Sequence, residues 1–313
     1  MKVLLPDTVE LDPELPPGAV AVVYDVHRPV PDEHTDADVL VVWGNPADVL
    51  AQTARRLGKV RWVQTLAAGP DVVLQAGFAP GVLITAGLGL HDRTVAEHTL
   101  ALVLAAARRL NLLVRAQMEH RWAQELGGLQ PVRETGSFRT LREANVVIWG
   151  FGGIAATLAP LLHALGAHVT GVARSHGTRQ GFPVVTEEAF PELLPRTDVL
   201  ISILPATDAT ARVLNDDVLS HLPRHAWVVN VGRGTTVDET ALLGALRDGR
   251  IAGAALDVFE TEPLPADSGF WELENVMITP HAAGGRPVGA SDLLTENLAA
   301  FVDGRPLRNV IER

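Results

Sequence analysis

The segment Val146-Val147-Ile148-Trp149-Gly150-Phe151-Gly152-Gly153-Ile154-Ala155 constrains this chain more than any other. An apolar run breaks at three closely spaced glycines and resumes as an apolar helix. In such a strand–turn–helix unit Gly150 permits the tight turn, Gly152 lets the backbone approach a pyrophosphate, and the small Ala155 lets the helix pack close to the strand. An anion at the helix start meets unpaired N–H groups and the positive end of the dipole. A helix over residues 155–165 and a second strand over 166–173 complete a βαβ unit. The segment therefore reads as a dinucleotide cradle, with Gly150, Phe151, Gly152, Gly153 and Ile154 against the ligand.

The residues after the second strand select the dinucleotide. An NAD site places an Asp or Glu about 20 residues past the glycines to bond the ribose 2′-hydroxyl. Here Ala173 stands at that point, and no acid occurs between residues 144 and 186. The next residues are Arg174, Ser175, His176, Gly177, Thr178 and Arg179. Guanidinium groups match phosphate oxygens that a carboxylate would repel. The reading is NADP(H) in preference to NAD(H), held by Arg174, Ser175 and Arg179.

With 313 residues, 47% of them hydrophobic and 20% charged, the chain can bury two modest cores. No apolar run approaches the 18 or so residues of a membrane helix, and the start, with Pro6, Asp7 and Glu10, is too short and acidic for a signal peptide. A chain without cysteine has no disulfide, thiolate metal site or Cys nucleophile, and a cytoplasmic location is expected. The net charge of −11 argues against nucleic acid or anionic membrane as the main partner.

Strands expected over 20–24, 39–43, 60–65 and 82–85 alternate with helical stretches over 47–57 and 70–76, the pattern of a parallel sheet. A helix apolar nearly all round in its first half is expected over 94–118, and a polar, glycine-bearing segment over 120–142. A second βα run comes next, with strands over 199–204, 226–231, 253–257 and 276–279 and a last helix near 289–302. Two α/β units with a single glycine fingerprint, in the second, leave the first to carry the substrate.

Three apolar strands of the second unit end in polar residues: Asn230-Val231-Gly232-Arg233-Gly234, Leu256-Asp257 running on to Glu262-Pro263, and Thr279-Pro280-His281. Together they bring a cation, a carboxylate and an imidazole to the carboxyl edge of one sheet. Reduction of a 2-keto acid needs that set: a cation for the carboxylate and ketone, and an imidazole to give a proton as hydride reaches carbon.

The order of glycine fingerprint, Leu204-Pro205-Ala206-Thr207, Asn-x-x-Arg-Gly, Asp-Val-Phe-x-x-Glu-Pro and Thr-Pro-His-x-x-Gly resembles the D-isomer-specific 2-hydroxyacid dehydrogenase family, which includes glyoxylate/hydroxypyruvate reductases and phosphoglycerate dehydrogenases. The resemblance implies Arg233, Glu262 and His281 as catalytic residues. It implies a carboxylate-binding loop at Leu66, Ala67, Ala68 and Gly69, and Leu204, Pro205, Thr207, Val231, Gly232 and Asp257 along the cofactor. It also implies two doubly wound parallel-sheet domains: a Rossmann-type cofactor domain, residues 95–283, inserted in a flavodoxin-like substrate domain, residues 1–94 and 284–313. The 120–142 segment would be a dimerisation arm, giving a homodimer. Pro70 replaces the Val common in the family's loop, and Glu rather than Gln at 262 argues against a formate oxidase. A phosphorylated substrate would need further cations, for which Arg61 and Arg93 are candidates.

Other residues have plainer readings. Packing or helix capping accounts for Glu97 and His98, and no metal site is expected. His221 and His225 read as surface residues, because Pro223 separates them. Trp43 reads as a pocket wall or a core residue. Beside the reductase stands one reading of another class, a non-catalytic nicotinamide-sensing interaction module on the same fold. Phosphite is a further substrate open to such a chain.

Overall fold

The computed structural model describes residues 1–127 and 137–312. Gly128, Pro131 and Gly136 of the expected arm lie outside the described residues. The chain divides into two compact units, Met1–His91 with Arg286–Arg313, and Asp92–Gly285.

The first unit is a five-stranded sheet of β1 (Lys2–Pro6), β2 (Val20–Tyr24), β3 (Val39–Val42), β4 (Trp62–Thr65) and β5 (Leu83–Thr85), with α1 (Ala47–Arg56) and α2 (Asp71–Gln75) between its later strands. All pairings are parallel, and the order β2-β1-β3-β4-β5 is the flavodoxin-like one. The central β1 is not among the strands expected from sequence: Val3, Leu4 and Leu5 are a short apolar run before a proline, yet all three are buried, as a strand covered on both faces requires. Alternate residues feed two cores. Leu4, Leu40 and Val63 face one way with Leu50 of α1, while Val3, Leu5, Val39, Val41 and Trp62 face Leu293, Leu294 and Leu298 of the C-terminal helix Ala290–Val302. That helix also carries a buried polar tie. Asn297 Nδ2 donates to Gln64 Oε1 (3.0 Å), and Thr85 Oγ1 donates to the same oxygen (2.7 Å).

The second unit opens with α3 (Asp92–Ala107) and α4 (Leu110–Met118). The single helix expected over 94–118 is thus two, broken where Arg109 takes a left-handed φ of 54° and its Nη2 donates to the carbonyl of Leu126 (3.1 Å). The apolar surface of α3 ends at Ala107, so packing no longer holds one axis past that point. Then come β6 (Asn145–Trp149), α5 (Gly153–Ala164), β7 (His168–Val172), β8 (Gly177–Arg179), β9 (Phe182–Val185), α6 (Phe190–Leu193), β10 (Val199–Ser202), α7 (Asp216–His221), β11 (Trp227–Asn230), α8 (Glu239–Arg247), β12 (Gly253–Leu256) and β13 (Val276–Ile278). The order is β13-β12-β11-β10-β6-β7-β9-β8. Its parallel strands β9-β7-β6-β10-β11-β12 are the doubly wound 3-2-1-4-5-6 arrangement, with the reversal between β6 and β10.

The edge strand β8 departs from the single loop expected over 174–179. It pairs antiparallel with β9 across Gln180 and Gly181, whose φ values of 51° and 83° suit a two-residue hairpin turn. Gln in that conformation is an uncommon choice, so the turn carried no Asn-Gly or Asp-Gly signal.

Leu294 is fully buried between the C-terminal helix and the sheet of the first unit. Leu294→Ala should cost about 2–5 kcal/mol. Urea unfolding followed by tryptophan fluorescence checks this, and a loss under half a kilocalorie, on the order of a surface substitution, would mean that the helix contributes little to this core.

Candidate functional site

In the second unit the parallel strands end on one edge, where open α/β sheets bind ligands. Sheet order sets the ends of β13, β12, β11, β10 and β6 side by side, so His281, Asp257, Arg233, Leu204 and Gly150 follow one another in space.

At the β6 end the backbone leaves no room for side chains. Gly150 has φ 98°, and a Cβ there would lie 2.7 Å from the carbonyl oxygen of Ile203. A Cβ on Gly232 would lie 2.6 Å from the carbonyl oxygen of Leu204. The loops after β6, β10 and β11 therefore touch backbone to backbone. Leu204 and Val231 are buried at this contact. Beyond it, Thr207 N–H donates to Thr210 Oγ1 (2.9 Å), and that hydroxyl donates to the carbonyl of Pro205 (2.6 Å), which fixes the Pro205–Thr207 turn.

Gly152 has open space where its Cβ would be, and α5 starts with no side-chain cap. Uncapped N–H groups beside open space suit a phosphate. Gly153 is small for another reason: a Cβ there would meet Asp92 Oδ2, at the start of α3, at 2.1 Å. Ile154 comes next in the first turn of α5, and Ala155 is fully buried beneath it.

After β7, Ala173 is partly buried, and Arg174 and Ser175 are exposed. Arg179 turns back into the protein. Its Nη1 donates to the carbonyl of Phe151 (2.7 Å) and its Nη2 to Ser175 Oγ (2.9 Å). The two arginines thus differ in surroundings: Arg179 is hydrogen-bonded within the protein, and Arg174 is exposed.

The other three strand ends form one hydrogen-bonded assembly. The side chain of Asn230, fully buried, accepts from Gly232 N–H (3.1 Å) and donates to the carbonyl of Arg233 (3.1 Å), which sets the turn carrying the guanidinium. A Cβ on Gly234 would fall 1.8 Å from the carbonyl carbon of Phe259, so this turn lies against the loop that presents Glu262. Glu262 Oε1 accepts from Phe259 N–H (2.9 Å), and Oε2 lies 2.7 Å from His281 Nδ1. A carboxylate only accepts, so Nδ1 carries a proton toward Glu262, and Nε2 is the nitrogen left for another partner.

His281 has a left-handed φ of 52°, a conformation that costs a non-glycine residue about 1 kcal/mol or more. Asp257 sustains it. Its carbonyl accepts from His281 N–H (2.8 Å), Oδ1 accepts from Ala282 N–H (2.9 Å) and the Thr279 hydroxyl, and Oδ2 accepts from Ala283 N–H (3.0 Å). Behind it, His98 Nε2 donates to Thr279 Oγ1 (3.1 Å) and lies 3.4 Å from Asp257 Oδ1. His98 is therefore part of the support of the His281 turn rather than a packing or capping residue. Its neighbours in sequence gave no sign of this, because the Thr279 partner lies 181 residues away.

A second carboxylate stands behind Glu262. Glu239, first residue of α8, accepts from Glu260 N–H (2.7 Å), while Arg212 Nη2 lies 2.9 and 3.2 Å from the Glu260 carboxylate oxygens. Burial, then the negative charge of Glu260 and Glu262, pushes Glu239 above the ordinary carboxylate range, against the lowering effect of the Glu260 N–H and Arg212.

Within the first unit, the 66–69 loop is pinned where β4 ends. The carbonyl of Leu66 accepts from His91 Nε2 (2.9 Å), Ala67 N–H donates to Thr65 Oγ1 (3.2 Å), and the carbonyl of Ala67 accepts from Gly87 N–H (2.8 Å). Ala68 and Gly69 come next, half-buried. Trp43 stacks on His91 with centroids 5.2 Å apart. Arg61 pairs with Asp38 (3.2 Å) and Arg93 with Glu97 (2.9 Å), so both candidate phosphate cations are engaged. His225 is not a surface residue: it is partly buried, with Nε2 3.0 Å from Asp198 Oδ1. Among the described residues no three His, Asp or Glu side chains gather as a metal site, and no helix is long and apolar enough to cross a membrane.

Comparison with known proteins finds relatives in sequence and in fold. Residues 100–283 match the family model for the D-isomer specific 2-hydroxyacid dehydrogenase NAD binding domain. The chain is 32% identical over 293 residues to glyoxylate/hydroxypyruvate reductase A of Salmonella choleraesuis, covering 90% of this chain and 88% of that protein. Among solved structures it is similar to a D-isomer specific 2-hydroxyacid dehydrogenase from Xanthobacter autotrophicus in complex with NADPH and MES, at TM-score 0.82, 30% identity and coverage of 99% and 97% of the two chains. It is also similar to an NADPH-dependent glyoxylate/hydroxypyruvate reductase from Sinorhizobium meliloti in complex with NADP and sulfate, at TM-score 0.81, 26% identity and coverage of 99% and 98%.

The Glu239 shift has a testable sign. A carboxyl whose pKa is raised in the folded chain adds stability below its unfolded pKa and loses it as pH rises through the folded value. Glu239→Gln should therefore gain on the parent protein as pH rises from the ordinary carboxylate value, about pH 4, read as urea midpoints along a pH series from there upward. A constant offset over that range would mean that the fold does not disfavour the Glu239 charge.

Proposed function

Because the chain belongs to the D-isomer specific 2-hydroxyacid dehydrogenase family, we propose that it reduces a small 2-keto acid of the glyoxylate or hydroxypyruvate type to the D-2-hydroxy acid with NADPH. The observation that carries this is the 2.7 Å contact of His281 Nδ1 with Glu262, on strand ends neighbouring the Arg233 turn.

The nicotinamide, when bound, supplies the hydride that adds to substrate C2. Gly150, Phe151, Gly152, Gly153 and Ile154 fit its pyrophosphate, and Pro205, Thr207, Val231 and Gly232 fit the run towards the reacting ring. Arg233 holds the substrate carboxylate and draws electron density from the ketone. As C2 gains the hydride, His281 Nε2 gives its proton to the ketone oxygen, and the new hydroxyl completes the product. Glu262 keeps the ring in one orientation and stabilises the imidazolium before transfer. In the reverse direction the neutral ring takes the proton back. Asp257 acts in this scheme through the His281 turn, its carboxylate being occupied by three donors of that turn. In the first unit, the 66–69 loop is the proposed carboxylate-binding element. A cytoplasmic location and a homodimer are part of the same proposal, the first supported by a sequence without cysteine.

Preference for NADPH over NADH rests on Arg174, exposed where an NAD site would carry an acid. Ala173→Asp with Arg174→Ala should reverse the NADPH:NADH ratio of kcat/KM, and an unchanged ratio would place selection elsewhere.

Initial rates of NADPH oxidation with glyoxylate, hydroxypyruvate and pyruvate test the activity itself. His281→Asn is the informative variant, because Asn tolerates the left-handed backbone at 281. It should lose at least about a hundredfold in kcat with cofactor affinity retained, and turnover near the parental rate would remove His281 as the acid.

A further inference from the structure

Two arginines flank the loop after β7, and their surroundings differ. Arg174 is exposed and makes no hydrogen bond or ion pair with the other described residues. Arg179 is partly buried, and both of its terminal nitrogens are engaged: Nη1 with the carbonyl of Phe151 at 2.7 Å, Nη2 with Ser175 Oγ at 2.9 Å and the Ser175 carbonyl at 3.4 Å. A guanidinium grips a phosphate through a planar pair of N–H groups, and in Arg179 the terminal nitrogens already point at protein oxygens.

Those oxygens belong to two separate elements. Phe151 lies in the glycine turn between β6 and α5. Its ring is buried against Gly171 of β7, where a Cβ would meet Phe151 Cδ2 at 2.2 Å. Gly171 is thus the reason the ring can seat, and the seated ring fixes the Phe151 carbonyl. Ser175 lies in the loop that leads from β7 to β8. Arg179 itself ends β8, which is held to β9 in register (Arg179 opposite Phe182), and β9 is held to β7 (Gly171 opposite Val184). The guanidinium therefore stands on strands, not on the loop it ties.

We propose that Arg179 is a positioning residue that fastens the loop carrying Arg174 and Ser175 to the pyrophosphate turn. This rests on the reading of the protein as an NADPH-dependent reductase. Loss of the brace frees the loop that carries Arg174 and Ser175, while the buried Phe151 ring still anchors the pyrophosphate turn, so the loss acts through Arg174. Loss of Arg174 removes a contact that only NADPH makes.

Dissociation constants for NADPH and NADH, measured by nucleotide fluorescence on parent, Arg179→Ala, Arg179→Lys and Arg174→Ala proteins and on the double variant with both alanines, separate the two roles. Arg179→Ala should weaken NADPH by about tenfold and NADH by less, and Arg179→Lys should recover part of the NADPH affinity. Arg174→Ala should weaken NADPH by about tenfold and leave NADH unchanged, and adding Arg179→Ala to it should cost NADPH little more. A further loss of about tenfold for NADPH in that double variant would make Arg179 a phosphate ligand in its own right and overturn this proposal alone, as would parental affinity for both dinucleotides in Arg179→Ala. Parent protein that binds neither dinucleotide would overturn the reductase reading together with it.

Discussion

The hydrogen-bonded carboxylate of Asp257, almost fully buried, is the interaction on which the geometry of the candidate site depends. A buried charge is tolerated only where donors surround it. Here the donors are the N–H groups of Ala282 and Ala283 and the hydroxyl of Thr279, all within five residues of one another. Satisfying the charge therefore folds the chain after β13 into a single tight turn, and the residue that must take the strained φ in that turn is His281. The strain of one residue is offset by hydrogen bonds of its neighbours. The ring that results has one nitrogen on Glu262, so a stability requirement and the orientation that the proposed proton transfer needs are met by the same set of bonds.

The sheet makes this arrangement possible. Parallel strands bring all their carboxyl ends to one edge, and the order β13-β12-β11-β10-β6 then converts distant positions in sequence into neighbours. Glycines at 150, 232 and 234 let the connecting loops close on each other at backbone distance. Without them the cation, the carboxylate and the glycine turn would each sit at a strand end, but not on loops in contact. Asn230 does for Arg233 what Asp257 does for His281: a buried polar side chain spends its hydrogen bonds on the backbone of the functional turn. In both cases the supporting group is the last residue of a strand or the one just past it, where the sheet fixes its backbone most firmly.

Most of this was legible in the sequence because the informative signals were local. The βαβ unit, the strand ends at Arg233, Asp257 and His281, and the carboxylate at 262 each occupy a few consecutive residues. What escaped had partners far away in the chain. His98 and Thr279, or Arg179 and Phe151, come together only once the sheet is assembled, so neither periodicity nor spacing could reveal them. The strand β1 was missed because its apolar run of Val3, Leu4 and Leu5 is cut by Pro6, a residue that argues against a central strand. The break at Arg109 was missed because no glycine or proline marks it, and the hairpin at Gln180 because its turn lacks the usual residues. The two arginines of the β7 loop looked alike in sequence, since composition says nothing of which oxygen each one faces.

The C-terminal helix adds a consequence for how the chain is made. Val3, Leu5, Val39, Val41 and Trp62 are early residues, yet the face they build is covered by Leu293, Leu294 and Leu298. On a ribosome, the sheet of the first unit must wait until residues 92–285 have been added, roughly 10–40 s at ordinary elongation rates. Through that interval one apolar face of a parallel sheet has no cover of its own, while the second unit, contiguous in sequence, can close as soon as it emerges. The inserted order of the two units thus sets a timetable. The half that carries the glycine turn can be finished first, and the half that encloses it in sequence is exposed to chaperones and to self-association until the last helix arrives.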